Sequence, residues 1–252
     1  MKMKVHSFGA LDGFPDQLEA PAFLVEDDPE SWLVDVPTHI NLMLRQINRS
    51  PMDLTAIFIT HLHNDHVGGL IDLIQLRMLC LAKPDIMRQA GYYDQIASPV
   101  LPIYVLGYQG DWWAAIEKLI DWNCPDVWGS WKDYHEVIFL DKKSVQGKFE
   151  LNTISVQYRK SAHDVPCFGL KIGGLAISGD GPYDPDHVAW LVEDAKLVFH
   201  EAGFGGSHTR VEDFATVAGS HSRVLLYHMP FPVREMLVSQ FMPVATKGWY
   251  DV

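Results

Sequence analysis

The sequence predicts a layered α/β protein. Short strands are grouped at the start of the chain, the middle is helical, and strands alternate with helices later, which is the pattern of sheets covered by helices. A length of 252 residues is enough for one large domain or two small ones, and no repeat, low-complexity tract or Pro/Gly/Ser-rich linker divides the chain. We therefore expect a single domain over residues 1–252.

The first eighty residues contain four short apolar runs and two helical patterns. Strands are predicted at 5–8, 22–25, 31–36 and 56–60. A helix is predicted at 38–47, where apolar residues recur at helical spacing behind Thr38, a residue suited to cap a helix N-terminus. A second helix, with a wide apolar face, is predicted from Leu70 to Leu79.

Residues 84–135 are the least regular and most aromatic stretch. We expect an aromatic-rich helical insertion within the single domain. Its Trp and Tyr side chains are expected to pack a helical subdomain or a dimer contact, and the alternative is that some of them stack on a nucleobase.

The rest of the chain alternates strands with helices. Strands are predicted at 151–158, 168–172, 175–178, 197–200 and 224–228, and helices at 185–194 and 211–218. Gly173 and Gly174 supply the turn of a hairpin between two of these strands.

The charge of the chain limits its partners. Hydrophobic residues make up 48% and charged residues 21% of the chain, as in ordinary globular proteins. With 20 Lys and Arg against 32 Asp and Glu, the formal net charge is −12. Proteins that grip long nucleic acids neutralise phosphates with Lys and Arg, so this charge disfavours such a partner and favours a small substrate.

Neither a membrane span nor a secretion signal is evident. No stretch approaches the roughly 18 consecutive apolar residues of a membrane span, and the N-terminus lacks the apolar run of a signal peptide. Cys80, Cys124 and Cys167 form no CxxC pair and no disulfide framework. Three reduced thiols are typical of the cytoplasm, so the expected location is cytoplasmic, in the host if the gene belongs to a phage.

Four potential metal ligands lie within six positions behind an apolar strand: His61, His63, Asp65 and His66. Imidazole and carboxylate suit zinc and related ions. Because alternate residues of a turn project differently, the first two can bind one ion and the last two a second. Gly68 and Gly69 let the backbone turn tightly beside the site. The main alternative is a site for one ion; a surface loop that is His-rich by chance is disfavoured by its position behind the strand.

This segment, Thr60-His-Leu-His-Asn-Asp-His66 followed by Gly-Gly, resembles the HxHxDH motif of the metallo-β-lactamase superfamily. The resemblance implies an α/β fold of the metallo-β-lactamase type, an αβ/βα four-layer sandwich with two metal ions at one edge. It also implies three further ligands at strand ends, in the order His163, Asp180 and His228. Asp65 is assigned to catalysis as well as to metal binding.

Further segments are similar to the ribonuclease Z branch of this superfamily. Residues 163–170 have its His-x-x-Pro-x-x-Gly pattern, and His200-Glu201-Ala-Gly-Phe204 is close to its HEATF segment. Ser207-His208-Thr209 partly matches its HST segment, with Thr where the family has Ser. The resemblance implies that His208 is a general acid oriented by Glu201, with His200 behind them.

Two further interpretations concern residues near the proposed ligands. His200 and Glu201 could instead be a satisfied polar pair at a strand end. Asp35, at the end of a predicted strand, is a candidate to orient a ligand histidine.

A short hairpin, 165–178, joins the ligands His163 and Asp180, whereas members that process tRNA carry a long arm there. Among ribonuclease Z-like chains without the arm, this one resembles the anti-Pycsar proteins, which destroy cyclic mononucleotide immune signals. The resemblance implies a dinuclear-metal phosphodiesterase that hydrolyses small 3′,5′-cyclic mononucleotides, such as cCMP, cUMP, cAMP or cGMP, to linear monophosphates.

The alternatives are a tRNA 3′-end endonuclease (a ribonuclease Z), a lactonase or thioesterase on the same metal site, and a non-catalytic protein that keeps the fold. The last would lack one or more ligands, whereas every ligand position is filled here. The resemblance further implies two divalent ions, zinc with manganese as the other candidate, and a homodimer, because ribonuclease Z-like proteins commonly dimerise.

Overall fold

Two mixed β-sheets form the centre of the fold. The structure is a computed structural model that describes residues 2–12, 18–106, 110–124, 129–140, 145–203 and 206–252. The side chains of residues 111 and 112 are not described. The strands in the described residues are β1 (Lys4–Ser7), β2 (Phe23–Asp27), β3 (Glu30–Val34), β4 (Ala56–Ile59), β5 (Leu101–Val105), β6 (His135–Phe139), β7 (Gln146–Leu151), β8 (Ile154–Lys160), β9 (Phe168–Ile172), β10 (Leu175–Ile177), β11 (Leu197–Glu201), β12 (Val224–Tyr227) and β13 (Gly248–Asp251).

The α-helices in the same residues connect the strands along the chain. They are α1 (Ile40–Gln46), α2 (Asn64–Val67), α3 (Leu70–Ala82), α4 (Pro84–Gln89), α5 (Gly110–Asn123), α6 (Pro185–Val192), α7 (Phe214–Gly219) and α8 (Phe231–Ser239). None of the helices in the described ranges is long and apolar enough to cross a membrane.

Each sheet combines an antiparallel part with a parallel part. The first has the order β13-β1-β2-β3-β4-β5-β6, antiparallel from β13 to β3 and parallel from β3 to β6. The second has the order β12-β11-β10-β9-β8-β7, parallel from β12 to β10 and antiparallel from there to β7. β8 and β10 therefore run in the same direction.

The two sheets pack face to face. Successive side chains of a strand point to opposite faces, and in β4 Phe58 belongs to the core between the sheets, whereas Ile57 and Ile59 belong to the core beneath the helices. Phe23 of the first sheet and Phe199 of the second meet in the inner core, with ring centroids 4.6 Å apart. The side chains of β4 therefore contribute to two hydrophobic cores, one on each face of the first sheet.

Helices complete a sandwich of four layers. Helices α1, α3 and α5 bury apolar residues against the first sheet, and α6 and α7 contact β10 and β12 of the second. The predicted αβ/βα four-layer sandwich is therefore confirmed.

The sequence misplaced the start of α1. The helix begins at Ile40 with His39 as N-cap, in a left-handed conformation and without a side-chain cap, so the prediction that Thr38 caps it is wrong. The backbone N–H of Ile40 instead donates to the carbonyl of Pro37, at 3.3 Å. The predicted helix at 211–218 is divided into a 3₁₀ turn, Val211–Asp213, and α7.

The aromatic stretch 84–135 is not wholly helical. It contains α4 and α5, but also β5, which pairs in parallel with β4 and β6 inside the first sheet. Pairing on both sides integrates this stretch into the sheet, so its description as a helical insertion needs correction. The assignment of residues 1–252 to a single domain stays a prediction.

Candidate metal centre

The loop after β4 presents the first four candidate ligands. His61 follows Thr60 at the strand end, His63 is the N-cap of α2, and Asp65 and His66 lie in that helix. The carbonyl of His66 accepts a hydrogen bond from the N–H of Val36, at 2.7 Å. The ligand loop is thereby tied to the chain that leaves the neighbouring strand β3.

Gly69 is required beside this loop because of space. A Cβ at this position would lie 2.1 Å from the carbonyl oxygen of Pro37. Its φ of −91° is open to any residue, as is the φ of −62° at Gly68. The sequence pointed to the right glycines, but close backbone approach rather than a special turn conformation explains them.

The second sheet supplies three more candidate ligands from strand ends at the same edge. His163 follows β8, Asp180 follows β10 and His228 follows β12. His228 has a φ of 57°, a conformation that non-glycine residues seldom adopt. The structure thus brings all seven predicted ligands together, although they are spread over more than 160 positions of the chain.

These residues form two groups whose ligand atoms lie within 4.8 Å of one another. They are a first group of His61, His63, His163 and Asp180, and a second of Asp65, His66 and His228. In the first group, Nδ1 of His63 lies 3.1 Å from Nε2 of His61 and 3.3 Å from Nε2 of His163. Asp180 Oδ2 is 3.5 Å from Nε2 of His61.

Asp180 also faces the second group. Its Oδ2 lies 3.4 Å from Nε2 of both His66 and His228. Asp65 Oδ2 is 3.0 Å from Nε2 of His228 and 3.6 Å from Nε2 of His66. Nitrogen and oxygen ligands placed tetrahedrally around a zinc-sized ion are separated by roughly 3.3–3.6 Å. Both groups therefore have the spacing that such an ion requires, and Asp180 is common to both.

The electrostatics also indicate positions for cations. Nε2 of His66 is buried and has no hydrogen-bond partner in the described residues. Although burial alone would lower the pKa of His66, the carboxylates of Asp180 and Asp35 raise it well above its usual value. The protein thus favours a positive charge between these carboxylates, and a metal ion can replace the proton.

His61 is suited to bind an ion in its neutral form. Burial, reinforced by the neighbouring His66, holds the pKa of His61 well below its usual value. For Asp180, burial alone would raise the pKa, but the three surrounding histidines hold it well below its usual range. Neutral imidazole and ionised carboxylate are the forms that ligate metals.

Asp35 orients two of the histidines. Its Oδ2 accepts hydrogen bonds from Nδ1 of His66, at 2.7 Å, and from the hydroxyl of Thr60, at 2.8 Å. Its Oδ1 accepts from the N–H of Thr60, whose Oγ1 lies 3.1 Å from Nδ1 of His61. Such contacts fix the tautomer and ring orientation of ligand histidines. The sequence suggested Asp35 but gave no role to Thr60, although it begins the recognised motif.

Cys167 is a further residue whose position the sequence did not predict. Its Sγ accepts a hydrogen bond from the N–H of Asp180 at 3.1 Å and lies 3.5 Å from Nδ1 of His61. The residue is fully buried, and burial raises the pKa of the thiol well above its usual value. As a thiol, Cys167 supports the backbone that carries Asp180.

His208 lies beside the second group. Its ring stacks on that of His228, with centroids 5.3 Å apart, and its Nδ1 is 3.3 Å from Oε2 of Glu201. One of its nitrogens comes within 4.8 Å of the ligand atoms of Asp180 and His228. Burial alone would lower the pKa of His208, but the Glu201 carboxylate outweighs this and raises it.

Glu201 also holds the backbone around this histidine. Its carboxylate accepts hydrogen bonds from the N–H groups of Gly181, Gly203 and Thr209, at 3.3, 2.6 and 2.7 Å. The hydroxyl of Thr209 donates to the carbonyl of Gly181. The segment that carries His208 is thus joined to the residue after Asp180 through Thr209, the residue that stands where the family's HST segment has Ser.

His200 has no direct place in either group of ligands. It is buried behind Glu201, and its Nδ1 donates to the Glu201 carbonyl at 2.8 Å. Phe204, the last residue of the segment compared with HEATF, lies outside the described residues.

The connection between the ligands His163 and Asp180 is short. β9 and β10 pair as antiparallel strands in a hairpin whose turn contains Gly173, with a φ of 55°, and Gly174. This agrees with the predicted hairpin over 165–178.

The comparison with known proteins agrees with this architecture. Residues 3–242 match the family described as Anti-Pycsar protein Apyc1. The chain belongs to this family. Its fold is the metallo-β-lactamase fold, and its two His/Asp groups are typical of the dinuclear metal site of that fold.

Individual relatives of this Apyc1-family chain are more distant. A ribonuclease Z of Metallosphaera sedula is 32% identical over 108 residues, which cover 43% of this chain and 31% of that protein. The chain spans less than half the length of the first curated ribonucleases Z that it matches, 31% and 43%.

Two solved structures share the fold over the whole chain. The metallo-β-lactamase fold protein YhfI of Bacillus subtilis has a TM-score of 0.75 at 20% identity and covers 100% of both chains. The short form of human tRNase Z has a TM-score of 0.67 at 22% identity and covers 99% of both chains. At these identities the likeness concerns the fold alone.

Proposed function

We propose that this protein is a metal-dependent phosphodiesterase that hydrolyses small 3′,5′-cyclic mononucleotides, such as cCMP, cUMP, cAMP or cGMP, to linear monophosphates. The observation that carries the proposal is the sharing of Asp180 by two groups of ligands in a chain of the Apyc1 family. Removal of such nucleotides would defeat an immune signal made of them, as the family's description suggests.

Divalent ions held by the two groups would polarise a phosphoryl oxygen and make a bound water more acidic. His61, His63, His163 and Asp180 would hold the first ion, and Asp65, His66, His228 and Asp180 the second. The orphaned Nε2 of His66 and the ligand spacings of 3.0–3.6 Å support this assignment.

We assign the proton transfer to His208. Opening of the ring breaks the bond between phosphorus and the 3′ oxygen, and that alkoxide needs a proton. His208 lies next to His228, and Glu201 raises its pKa, so the imidazolium can donate this proton. A positioned donor typically contributes about 10²–10⁴-fold to the rate.

Asp65 is assigned a second role besides metal binding. Burial alone would raise the pKa of Asp65, but His228 and His66 hold it below its usual range, which keeps it a carboxylate. While Oδ2 faces the histidines, the other oxygen can accept a hydrogen bond from the attacking water.

The native ions are proposed to be zinc, with manganese as the other candidate, since imidazole ligands suit zinc and carboxylate ligands suit manganese. A homodimer is proposed from the similarity to ribonuclease Z-like proteins. A cytoplasmic location, in the host if the gene is from a phage, is supported by three free, buried cysteines.

The alternatives make different demands. A tRNA 3′-end endonuclease must hold a long polyanion, and neither the net charge of −12 nor the short β9–β10 hairpin favours that. A lactonase or thioesterase would give no function to the Glu201–His208 pair, whose partners lie 3.3 Å apart.

The test is hydrolysis of a panel of 3′,5′-cyclic mononucleotides by the zinc- or manganese-loaded protein, followed by chromatography. Conversion to linear monophosphates is expected for the wild type and should be lost in His61→Ala and Asp180→Ala. A tRNA precursor, a lactone and a thioester are assayed in parallel. If one of these is cleaved and no cyclic nucleotide is converted, the proposed activity is wrong and the cleaved compound indicates the substrate class.

A further inference from the structure

Asp164 places a carboxylate beside the first group of ligands. Its Oδ1 lies 3.1 Å from Nε2 of His163 and 4.0 Å from Nε2 of His63. The same oxygen accepts a hydrogen bond from the N–H of Val165 at 3.0 Å. The side chain is 62% exposed. The carboxylate is therefore held toward the centre by its own backbone and is open to the solvent from which a ligand arrives.

In the part of the chain that the structure describes, Asp164 forms no ion pair with a lysine or an arginine. Within the described ranges, its ion-pair contacts are with the imidazoles of His63 and His163. Both imidazoles are neutral when they bind an ion. Asp164 therefore places an exposed carboxylate beside the first group of ligands, with no lysine or arginine of the described residues paired to it.

The proposed reaction changes the charge of its ligand. Hydroxide adds to phosphorus, the bond to the 3′ oxygen breaks, and that oxygen takes a proton. The cyclic phosphodiester carries one negative charge, whereas the linear monophosphate carries between about 1.5 and 2 at neutral pH. A cationic centre therefore attracts the product more strongly than the substrate, which would slow product release.

We propose that Asp164 is a specificity-determining residue that weakens the binding of phosphomonoester dianions more than that of phosphodiester monoanions. The inference rests on the proposed function, because it concerns the charge difference between that substrate and its product. Asp164 would favour release of the linear monophosphate without contacting the base or the ribose.

The expected size of the effect follows from Coulomb's law. A repulsive energy that is proportional to ligand charge changes the Kd of a monoanion by some factor and that of a dianion by the square of that factor. For charges about 7 Å apart in water-like surroundings, these factors are about 3-fold and about 7-fold. Both decrease as added salt screens the interaction.

The experiment uses two probes that differ by one methyl group: dimethyl phosphate, a monoanion, and methyl phosphate, which is close to a dianion at pH 8. Their binding to the zinc-loaded, full-length protein is measured by calorimetry at low salt. Asp164→Asn should bind dimethyl phosphate about 3-fold and methyl phosphate about 7-fold more tightly than the wild type.

Glu150→Gln is the matched control. Glu150 is exposed on β7 and pairs with Ser155 at the start of β8, whereas His163 follows the end of β8. The control removes the same charge at the far end of the hairpin, so both affinities should remain those of the wild type. Equal changes for the two probes in Asp164→Asn, or no change, would overturn the proposal.

The readout is independent of turnover. Suppose that no cyclic nucleotide is hydrolysed, but that Asp164→Asn raises the affinity for dimethyl phosphate by some factor and that for methyl phosphate by its square. The proposed function then fails, whereas the proposal that Asp164 discriminates between ligands by their charge stands. If cyclic nucleotides are hydrolysed but Asp164→Asn changes the affinities for the two probes equally or not at all, only the role of Asp164 is wrong. Absence of binding by both probes would also count against it.

Discussion

Asp35 accepts a hydrogen bond from Nδ1 of His66 at 2.7 Å, while Nε2 of the same ring lies 3.4 Å from Asp180. One imidazole is thus placed between two carboxylates with different functions. The hydrogen bond to Asp35 keeps the proton of His66 on Nδ1, which leaves Nε2 as the nitrogen available to an ion. The left-handed backbone of Asp35, with a φ of 63°, turns the carboxylate into this position.

Asp35→Asn should weaken metal binding by about 10–100-fold, the usual effect of losing a partner that orients a ligand histidine. Asn tolerates the left-handed conformation, so the loss reflects the missing carboxylate and not the backbone. Competition with a metallochromic chelator measures the affinity. Asp72→Asn, an exposed change on α3, serves as control. An unchanged affinity in Asp35→Asn would show that Asp35 is structural only.

Metal stoichiometry should depend on which ligand is removed. His63→Ala should lower the content of the first site, and His228→Ala that of the second, because each belongs to one of these groups. Asp180→Ala should lower both, since Oδ2 faces histidines of both. Elemental analysis after dialysis gives the ratio of metal to protein. Equal losses in all three variants would indicate one site instead of two.

His208→Ala should affect substrates according to their leaving groups. Cleavage of a cyclic nucleotide expels an alkoxide that needs a proton, so kcat should fall by about 10²–10⁴-fold. Bis(p-nitrophenyl) phosphate expels a stable phenolate, and its kcat should fall much less. His221→Ala, before β12 and hence at the opposite end of that strand from His228, should leave both rates unchanged. Similar losses with both substrates would exclude His208 as the general acid.

The pH profile provides an independent check on His208. Glu201 raises the pKa of His208 above its ordinary value of 6.5, and the acid must be protonated to act. The kcat for a cyclic nucleotide should therefore be sustained as pH rises past 6.5 and decline only as pH passes the raised pKa. With bis(p-nitrophenyl) phosphate this decline should be absent. A decline centred below 6.5 would contradict the assignment.

Gly69→Ala should destabilise the protein by about 1–3 kcal/mol, the usual cost of overpacking. Its new Cβ would lie 2.1 Å from the Pro37 carbonyl oxygen, whereas a Cβ at Gly219 would meet nothing within 4 Å. Gly219→Ala should therefore be neutral or slightly stabilising. Urea unfolding of both variants measures the difference. Equal free energies of unfolding would mean that the ligand loop moves to accept the methyl group.

The sequence predicted the elements that carry the site better than the rest of the fold. β4 is an uninterrupted apolar strand, and β9 alternates apolar side chains with Gly169 and Lys171; both are buried throughout. The predicted boundaries of both strands agree with the structure to within one residue. The ligand positions were predicted by resemblance to a motif. No local pattern relates His63 to His163, whose ligand atoms lie 3.3 Å apart across the two sheets.

The elements that were missed have weaker local signals. β5 contains Pro102, which cannot donate a backbone hydrogen bond and usually marks an edge strand, yet this strand pairs on both sides. β7 alternates exposed and half-buried residues, so it has no apolar face strong enough to stand out. Pairing with neighbouring strands in the folded chain, and not the local sequence pattern, accounts for both β5 and β7. The contacts of Thr60, Cys167 and Thr209 likewise depend on the folded chain.

The seven ligands are drawn from both sheets. The loop after β4 leaves the first sheet, and His163, Asp180 and His228 leave the second. Ions bound by these ligands would therefore connect the two sheets along one edge. Ligands that bind only the folded form stabilise it in proportion to the logarithm of their concentration, by about 4 kcal/mol at a thousandfold excess over Kd. The survival of the folded protein in a cell should consequently follow the local supply of metal.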